Sequence, residues 1–360
     1  MRRPALPSIL ALGVLLASAP PARGAETVRT VRAELSGADA SRFAVENLVG
    51  TMHVTAGAGS AIEVVATVHA ETPELADAVR LERVSGGSGE ATLRVRYPYD
   101  KISTFRYRER GDDGFFGWSS SESYEYDGHR VRVNRGRGTS VYADLDVRIP
   151  AASVAAAFEN LVGRLDADGL KGELAFRVAS ADLRLRRLDG KLTLEGSSGD
   201  IRARDIKGSW SSDFSSGDCD LEGFEGDALA FRTTSGDVAL RSVKARRAEF
   251  ESTSGDVRLL DADLQEFSAE ASSGDVTYEA AGTGLRDARI RTSSGDVSLR
   301  LPEGMSFDVD ADQSSGDMDV RFSDGTQVSH SDRVVGYRRG SGGAHIRVRT
   351  SSGDLTISPV

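Results

Sequence analysis

The chain lacks most of the residues that mark disulfide scaffolds, zinc proteins and common enzyme classes. Among 360 residues there is one cysteine, and the five histidines are scattered without an H-E-x-x-H spacing or a ligand cluster. One cysteine excludes a disulfide framework and a cysteine-built zinc site. A G-x-S-x-G nucleophile elbow and a phosphate-binding loop are also missing, so the sequence predicts no catalytic residue.

Positive charge is in short supply as well. Lys and Arg number 45 and Asp and Glu number 55, which gives a formal net charge of −10. Because nucleic-acid binding needs clustered positive charge against the phosphates, we expect no nucleic-acid partner. Hydrophobic residues make up 39% of the chain, which is enough to exclude wholesale disorder.

Long apolar runs are absent except near the start. A short basic segment with Arg2 and Arg3 precedes an apolar core of nine residues at 9–17, which is too short to span a bilayer. Small residues before Ala25 fit a cleavage site, so residues 1–24 are interpreted as a secretory signal peptide. A buried N-terminal helix is the alternative, and four prolines in this segment disfavour it. We expect an exported chain, periplasmic, on the cell surface or secreted, with no membrane span in the mature protein.

The second half repeats one tripeptide at a nearly constant period. Ser-Gly-Asp occurs eight times, and successive glycines are 18, 19, 19, 19, 21, 21 and 37 residues apart. The last spacing is interpreted as two periods with a degenerate turn between them. Weaker copies at Ser180 and Gly163 extend the series to ten periods with a mean of 19. The predicted turn glycines are Gly199, Gly217, Gly236, Gly255, Gly274, Gly295, Gly316 and Gly353.

Each tripeptide is followed by alternating apolar and polar residues, as in Val238, Ala239 and Leu240. This alternation is typical of a strand with one buried face. Short strands at a fixed period predict an all-β fold, a parallel β-solenoid (β-helix or β-roll) with coils of about 19 residues. An antiparallel sandwich is the alternative, but it does not explain why one tripeptide recurs in one phase. Cys219 falls at an inward position, which predicts a small buried hydrophobe.

The tripeptide itself suits a tight corner. Glycine takes positive φ without steric conflict, and Ser and Asp side chains can bind backbone amides that lack ladder partners. This predicts a structural turn and no cofactor. A second interpretation is a row of Ca²⁺ ions, because carboxylates stacked ~4.8 Å apart repel one another by about 1 kcal/mol in water. The nonapeptide of calcium β-rolls is absent, which counts against it. The aspartates concerned are Asp200, Asp218, Asp237, Asp256, Asp275, Asp296 and Asp317.

The first half, residues 25–150, lacks the clean repeat but predicts related β structure. The pentapeptide Glu-Asn-Leu-Val-Gly ends at Gly50 and again at Gly163. Thr72, followed by Pro-Glu, predicts a short capped helix. Pro150 closes a strand-like run and marks the predicted boundary with the solenoid at 151–360.

An insertion at about residues 97–138 concentrates aromatic and basic side chains. It holds nine of the 23 aromatic residues, interleaved with Lys101 and several arginines. Long loops on a regular scaffold often carry function, and aromatic and arginine side chains dominate interfaces. The insertion therefore predicts a binding surface, a cap over an open solenoid end, or both. The candidate binding residues are Phe105, Arg106, Tyr107, Arg108, Phe115, Phe116, Trp118, Tyr124 and Tyr126.

The T-x-S-G-D-V units at Thr233–Val238 and Thr292–Val297, together with the paired pentapeptides, resemble a bacterial family of candidate adhesins, a domain of unknown function. The resemblance covers about residues 28–360 apart from the aromatic insertion. It implies a β-solenoid at the cell envelope with no defined catalytic residues, and an association with envelope-stress regulation in some members.

These observations predict a non-enzymatic, exported, adhesin-like binding or scaffold protein. The expected partner is an envelope or extracellular protein or glycan, and an exposed solenoid end would allow self-association. Two alternatives stay open. A polysaccharide lyase or hydrolase would need long loops on irregular coils, whereas the well-formed coils vary only between 18 and 21 residues. A calcium-binding β-roll would use the aspartate row.

Overall fold

The computed structural model describes residues 26–36, 42–85, 91–108, 122–330 and 333–360. These residues are built almost entirely of β-strands, so the all-β prediction is confirmed. The chain divides between Pro150 and Ala151 into two compact units. The predicted signal peptide lies outside the described residues. In the described ranges no helix is both long and apolar enough to cross a membrane.

The N-terminal unit is a mixed sheet with a small second sheet and one short helix. Its elements are β1 (Thr27–Leu35), β2 (Arg42–Gly57), β3 (Ile62–Ala70), α1 (Pro73–Ala78), β4 (Arg80–Ser85), β5 (Ala91–Arg96), β6 (Thr104–Arg106), β7 (Glu122–Tyr126), β8 (His129–Asn134) and β9 (Val141–Pro150). Strand β3 is antiparallel to both β1 and β9, whereas β9, β2 and β5 pair in parallel. Strand β4 pairs antiparallel with β5, and the second sheet has the order β6–β8–β7.

Two short sequence signals shape this unit. Thr72 caps α1, because its Oγ1 accepts a hydrogen bond from the Leu75 amide at 3.3 Å, and Pro73 stands where no helical N–H is needed. Asn47 of the first pentapeptide is fully buried, and its Nδ2 donates to the carbonyl of Ala143 at 2.9 Å. The hydroxyl of Tyr97 donates to Asn47 Oδ1 at 2.8 Å. The amide is therefore a satisfied polar link between β2 and its neighbours.

The C-terminal unit is a stack of mainly parallel strands whose residue partners are one repeat apart. Its elements are β10 (Val154–Asp168), β11 (Lys171–Arg177), β12 (Ser180–Arg186), β13 (Asp189–Gly196), β14 (Ile201–Phe214), β15 (Cys219–Ser235), β16 (Val238–Ser254), β17 (Val257–Ser273), β18 (Val276–Ala280), β19 (Asp287–Ser294), β20 (Val297–Leu301), β21 (Phe307–Ser315), β22 (Met318–Val320), β23 (Thr326–His330), β24 (Arg333–Arg339), β25 (Ala344–Ser352) and β26 (Leu355–Pro359). Cys219, for example, pairs with Ile201 on one side and Val238 on the other.

Equivalent inward residues form apolar ladders through this unit. Ile201, Cys219 and Val238 are each no more than 5% exposed, which agrees with the predicted interior. Cys219 is a free, buried thiol, and burial raises its pKa well above the ordinary value. A row of aromatic rings also runs through the interior, with neighbouring centroids 4.9–6.0 Å apart, although only Phe231 and Phe250 in it are register partners. Its members are Trp210, Phe231, Phe250, Phe267 and Tyr278.

The order of the last coils differs from the sequence expectation. Strand β25 lies between β19 and β21, and β26 between β20 and β22, so the corner at Gly353 stacks on Gly295 and the corner at Gly316 stacks on Gly353. The spacing of 37 is therefore not two stacked periods. The residues between Gly316 and Gly353 include β23 and β24, which pair antiparallel, and β24 also pairs antiparallel with β21.

This rearrangement changes the end of the apolar ladder. The inserted coil is paired on both of its edges, so its ladder amides and carbonyls are satisfied. Leu355 and Ile357 are fully buried there, whereas Met318 and Val320, which the alternation placed in the interior, are half-buried. They differ because β22 belongs to the outermost coil, which has a neighbouring coil on one side.

Candidate functional site

Each Ser-Gly-Asp tripeptide forms a corner that packs against the corner of the neighbouring coil. The eight predicted turn glycines all have φ between 104° and 151°. A Cβ at Gly236 would lie 2.2 Å from the carbonyl oxygen of Gly217, well inside van der Waals contact. The corner therefore requires glycine both for its backbone conformation and for the close approach of the next coil.

The corner aspartates bind backbone amides. Oδ1 of Asp237 accepts a hydrogen bond from the Asp256 amide at 2.8 Å, and the same bond recurs from coil to coil at 2.8–3.2 Å. Each carboxylate thus satisfies an amide where the chain turns. At Asp200, whose pKa is raised by burial, Arg202 also donates to the second oxygen at 3.1 Å.

No group of three or more His, Cys, Asp or Glu is arranged to hold a metal ion within the described ranges. The hydrogen bonds from backbone amides occupy one oxygen of each carboxylate from Asp200 to Asp296, whereas Asp317, in the outermost coil, is the donor through its amide to Asp354. The calcium interpretation of this row has no further support from the geometry and stays a prediction.

A second corner recurs five residues after the corner aspartate, where the sequence shows no repeated residue type. Its central residue has φ of 57° at Asp205, 54° at Ser242 and 56° at Asp261. Arg187 and Gly169 occupy the same place in earlier coils. This left-handed region is accessible to several residue types at modest free-energy cost, which explains why no motif marks the corner.

One face of the stack carries a groove of about 770 Å³ that crosses five coils. At ~4.8 Å per coil its length is roughly 19 Å, and its two rows of outward side chains are separated by ~7 Å along the strands. Asp220, Glu222 and Leu260 also line it. The arginine groove is defined by Arg184, Arg186, Arg202, Arg204, Arg241 and Arg258.

Like charges are stacked at one end of the arginine groove. Arg184 is the register partner of Arg202 in the adjacent strand, and Arg186 is the partner of Arg204. Two unit charges ~4.8 Å apart repel by about 1 kcal/mol even in water. Arg204 gains a partner in Glu222 at 3.2 Å, which offsets part of this repulsion.

Several other exposed cations of the unit pair with acids in neighbouring coils, as Arg246 does with Asp227 at 2.7 Å. By contrast, Arg184, Arg186 and Arg241 form no ion pair with any residue that the structure describes. Sequence reasoning missed this groove. The available signal was arginine at the second and fourth positions after the corner aspartate in two successive repeats.

The predicted aromatic binding surface is only partly described. Phe115, Phe116 and Trp118 lie outside the described residues. Four other rings are at most 9% exposed, and three of them form aromatic contacts inside the unit, such as Phe105 with Tyr97 at 5.4 Å. From buried positions these rings support a surface but do not themselves offer one to a partner. They are Phe105, Tyr107, Tyr124 and Tyr126.

The two remaining predicted residues line a smaller groove of about 420 Å³ in the N-terminal unit. The half-buried Arg106 pairs with Glu71 at 2.6 Å, and Arg108 is exposed. Arg135 and Tyr142 complete this wall. The structure therefore brings Arg106 and Arg108 together, supported by the buried aromatic rings of the same segment.

A buried histidine lies beneath Tyr142. His69 stacks on that ring at 4.6 Å, with Nδ1 3.3 Å from Glu26 and Nε2 3.4 Å from Asp144. Burial alone would lower the pKa of His69, but the two carboxylates outweigh burial and raise the pKa above its ordinary value. The geometry thus favours the protonated imidazole as a structural bridge between the carboxylates.

Comparison with known families identifies the stacked strands. Residues 189–358 match the family model Toastrack DUF4097. This segment is a Toastrack domain. The family resemblance drawn from the repeats is therefore confirmed, and the parallel-strand character of the fold agrees with it. No curated protein matches the chain.

Three solved structures show distant similarity to the chain that contains the Toastrack domain. A candidate lipid-binding protein from Parabacteroides distasonis is 13% identical, with a TM-score of 0.36 over 92% of this chain and 96% of the other. A candidate adhesin from Bacteroides fragilis is 11% identical, with a TM-score of 0.34 over 92% and 97%. A candidate cell adhesion protein from Clostridium sporogenes is 8% identical, with a TM-score of 0.21 over 93% and 100%. Similarities this distant carry no argument about ligands.

Proposed function

We propose that the chain is an exported, non-enzymatic, adhesin-like binding scaffold of the cell envelope, with the Toastrack coils forming a solenoid of about 19 residues per coil. The observation that carries this proposal is the recurrence of one corner bond, from aspartate Oδ1 to the next corner's amide, through the stack. Coils locked at identical corners hold their outward side chains in fixed rows. Such rows form an extended, rigid binding surface.

The groups on that surface favour binding over chemistry. The arginine groove presents guanidinium groups, which stay protonated and recognise carboxylates or phosphates through paired hydrogen bonds. Cleavage of a polysaccharide would need a carboxyl pair, one member kept protonated by its surroundings. The carboxyl groups in the groove are Asp220 and Glu222, and both residues are exposed. They are the candidates for the alternative function of polysaccharide cleavage.

The envelope location is supported by the signal-peptide pattern of residues 1–24. The partner is proposed to be an envelope or extracellular protein or glycan, without nucleic acid. The N-terminal unit contributes a second surface, where Arg106 and Arg108 meet the aromatic segment.

Affinity capture from native envelope fractions tests the proposal. The bait is the full chain produced in an exporting host, beside a variant in which Phe115, Phe116 and Trp118 are changed to alanine and a variant in which residues 109–121 are replaced by a short turn. Circular dichroism establishes that each variant remains β-rich.

The intact chain is expected to retain an envelope protein or glycan. Loss of that partner in both variants would place the binding site on the aromatic segment. Equal capture by all three proteins would place it on the stacked coils. If the intact chain retains nothing from any envelope fraction, the binding function is refuted.

A further inference from the structure

The arginine groove is a local reversal of charge on an acidic chain. Six arginines and two acids line it, although the whole chain carries a formal net charge of −10. Arg184, Arg186 and Arg241 have no ion-pair partner in the described part of the chain. A bound anion would therefore relieve the part of the arginine repulsion that the ion pairs of Arg202 with Asp200 and of Arg204 with Glu222 do not offset.

The spacing of the groove favours an extended ligand with repeated charges. Arg184 and Arg202 are held on adjacent strands by backbone pairing, and Arg258 lies three coils beyond Arg202. Along the ~19 Å that these coils span, basic groups recur at multiples of ~4.8 Å, a distance comparable with the length of one sugar in an extended polysaccharide. A guanidinium binds a carboxylate through two parallel hydrogen bonds.

The remaining lining residues distinguish a glycan from other polyanions. Asp220 is exposed and has no ion-pair partner among the described residues, so its carboxylate can accept hydrogen bonds from sugar hydroxyls. The same carboxylate repels an unbroken row of phosphates, as in nucleic acid or an anionic lipid surface. Ala239 and Leu260 add apolar surface that suits the C–H faces of sugar rings.

We propose that the arginine groove binds an acidic polysaccharide, an extended glycan whose sugars carry carboxylates. The carboxylates of the glycan are bound by Arg184, Arg186 and Arg241, while the Asp220 carboxylate accepts hydrogen bonds from sugar hydroxyls. This inference rests on the proposed binding function and assigns it a site and a ligand class.

Titration calorimetry of the full chain with oligogalacturonate tests the inference, with dextran as the uncharged polymer. Phosphatidylglycerol vesicles and single-stranded DNA represent the other polyanions. The groove variant is Arg184→Glu with Arg186→Glu. Its matched control is Arg291→Glu with Arg347→Glu, because both control arginines are exposed, lie outside the groove and lack an ion-pair partner within the described residues. The single variant Arg241→Gln serves if the double variant does not fold.

Oligogalacturonate is expected to bind, and dextran is not. The groove variant should weaken binding at least about tenfold, because two charge-assisted contacts become repulsive, and the control should leave binding unchanged. Binding should also fall as salt is raised. Equal weakening in the control, preference for vesicles or DNA, or no binding of oligogalacturonate would each overturn the inference. If oligogalacturonate does not bind but the chain still captures a partner from the envelope, the proposed ligand is wrong and the broader binding function is still supported.

Discussion

The substitution Gly236→Ala tests the corner of the Toastrack coil. Gly236 has φ of 115°, and a Cβ there would lie 2.2 Å from the carbonyl oxygen and 2.7 Å from the carbonyl carbon of Gly217. Both atoms belong to the backbone, so the added methyl group cannot be accommodated by a side-chain rotation. The neighbouring corner must move instead, which disturbs the hydrogen bond from the Asp237 amide to Asp218 at 2.9 Å.

Two effects determine how much the Gly236→Ala substitution lowers the free energy of unfolding. An alanine held at this φ costs about 1–3 kcal/mol in backbone strain. Overpacking against fixed backbone adds about 1–3 kcal/mol, so the free energy of unfolding should fall by about 2–6 kcal/mol. For a unit of this size that corresponds to a melting temperature lower by roughly 5–20 °C.

Two matched substitutions in the same unit separate strain from clash. Gly169 also has positive φ, 72°, but nothing lies within 4 Å of its added Cβ, and later coils carry Arg187 and Ser242 at this corner. Gly169→Ala should therefore lower the unfolding free energy by only about 1 kcal/mol. Gly304 has open space and no positive φ, so Gly304→Ala should be nearly neutral.

Calorimetric melts of the full chain, followed in parallel by circular dichroism, provide the measurement. The expected order of melting temperatures is wild type and Gly304→Ala highest, Gly169→Ala slightly lower, and Gly236→Ala clearly lowest. A melt of Gly236→Ala equal to that of Gly169→Ala would refute the reasoning, because the contact with Gly217 would then carry no free energy.

Three further predictions concern buried or charged groups. The buried Cys219 thiol should resist a thiol-specific reagent in the native chain and react fully in denaturant; rapid native labelling would contradict its interior position. Because the folded state raises the pKa of His69, its protonated form contributes stability that is fully present below the unfolded pKa of about 6.5 and is lost as pH rises through the folded pKa. His69→Gln should thus lower the melting temperature more at pH 5.5 than at pH 8, and an equal loss at both pH values would contradict this bridge. Adding Ca²⁺ should shift the melting temperature no more than Mg²⁺ does, since the corner carboxylates already bind amides; a rise specific to Ca²⁺ would support an ion row.

The corners and the interior of the coils could be predicted because each imposes the same local demand many times. Gly236 must lack a Cβ, and Asp237 must supply an acceptor to the next coil, so the residue types recur. The inward residues alternate because every strand buries one face. A single sequence is enough to show such repeated demands.

Other features depend on which distant segments of the chain pack together, and the sequence contains little or no repeated pattern that predicts them. The second corner accepts Arg187, Asp205 and Ser242 alike, so no motif marks it. Strand β25 pairs with β19 and β21, and the sequence did not predict these partners. The corner at Gly353 has the same residues as the other corners, so it would fit beside any of them in the stack. Composition also could not tell buried aromatic residues of the insertion from exposed ones.

Predicting the arginine groove requires both the repeat in the sequence and the positions of the side chains in the structure. Outward arginines follow no hydrophobic period in the sequence. The stacking of like charges becomes visible only when the strand register places Arg184 beside Arg202. The repeat spacing of 18 already implied that pairing. What the repeat did not show was which of the outward arginines find acidic partners, and that depends on side-chain geometry.

The proposed function requires that the chain binds its partner without altering it. Its most direct test incubates the intact chain with end-labelled acidic polysaccharide extracted from the native envelope, recovers the bound fraction and measures its length distribution. The polysaccharide is expected to be retained at its original length. Shortened labelled fragments that disappear in Asp220→Asn or Glu222→Gln would contradict it and identify the groove as a catalytic cleft.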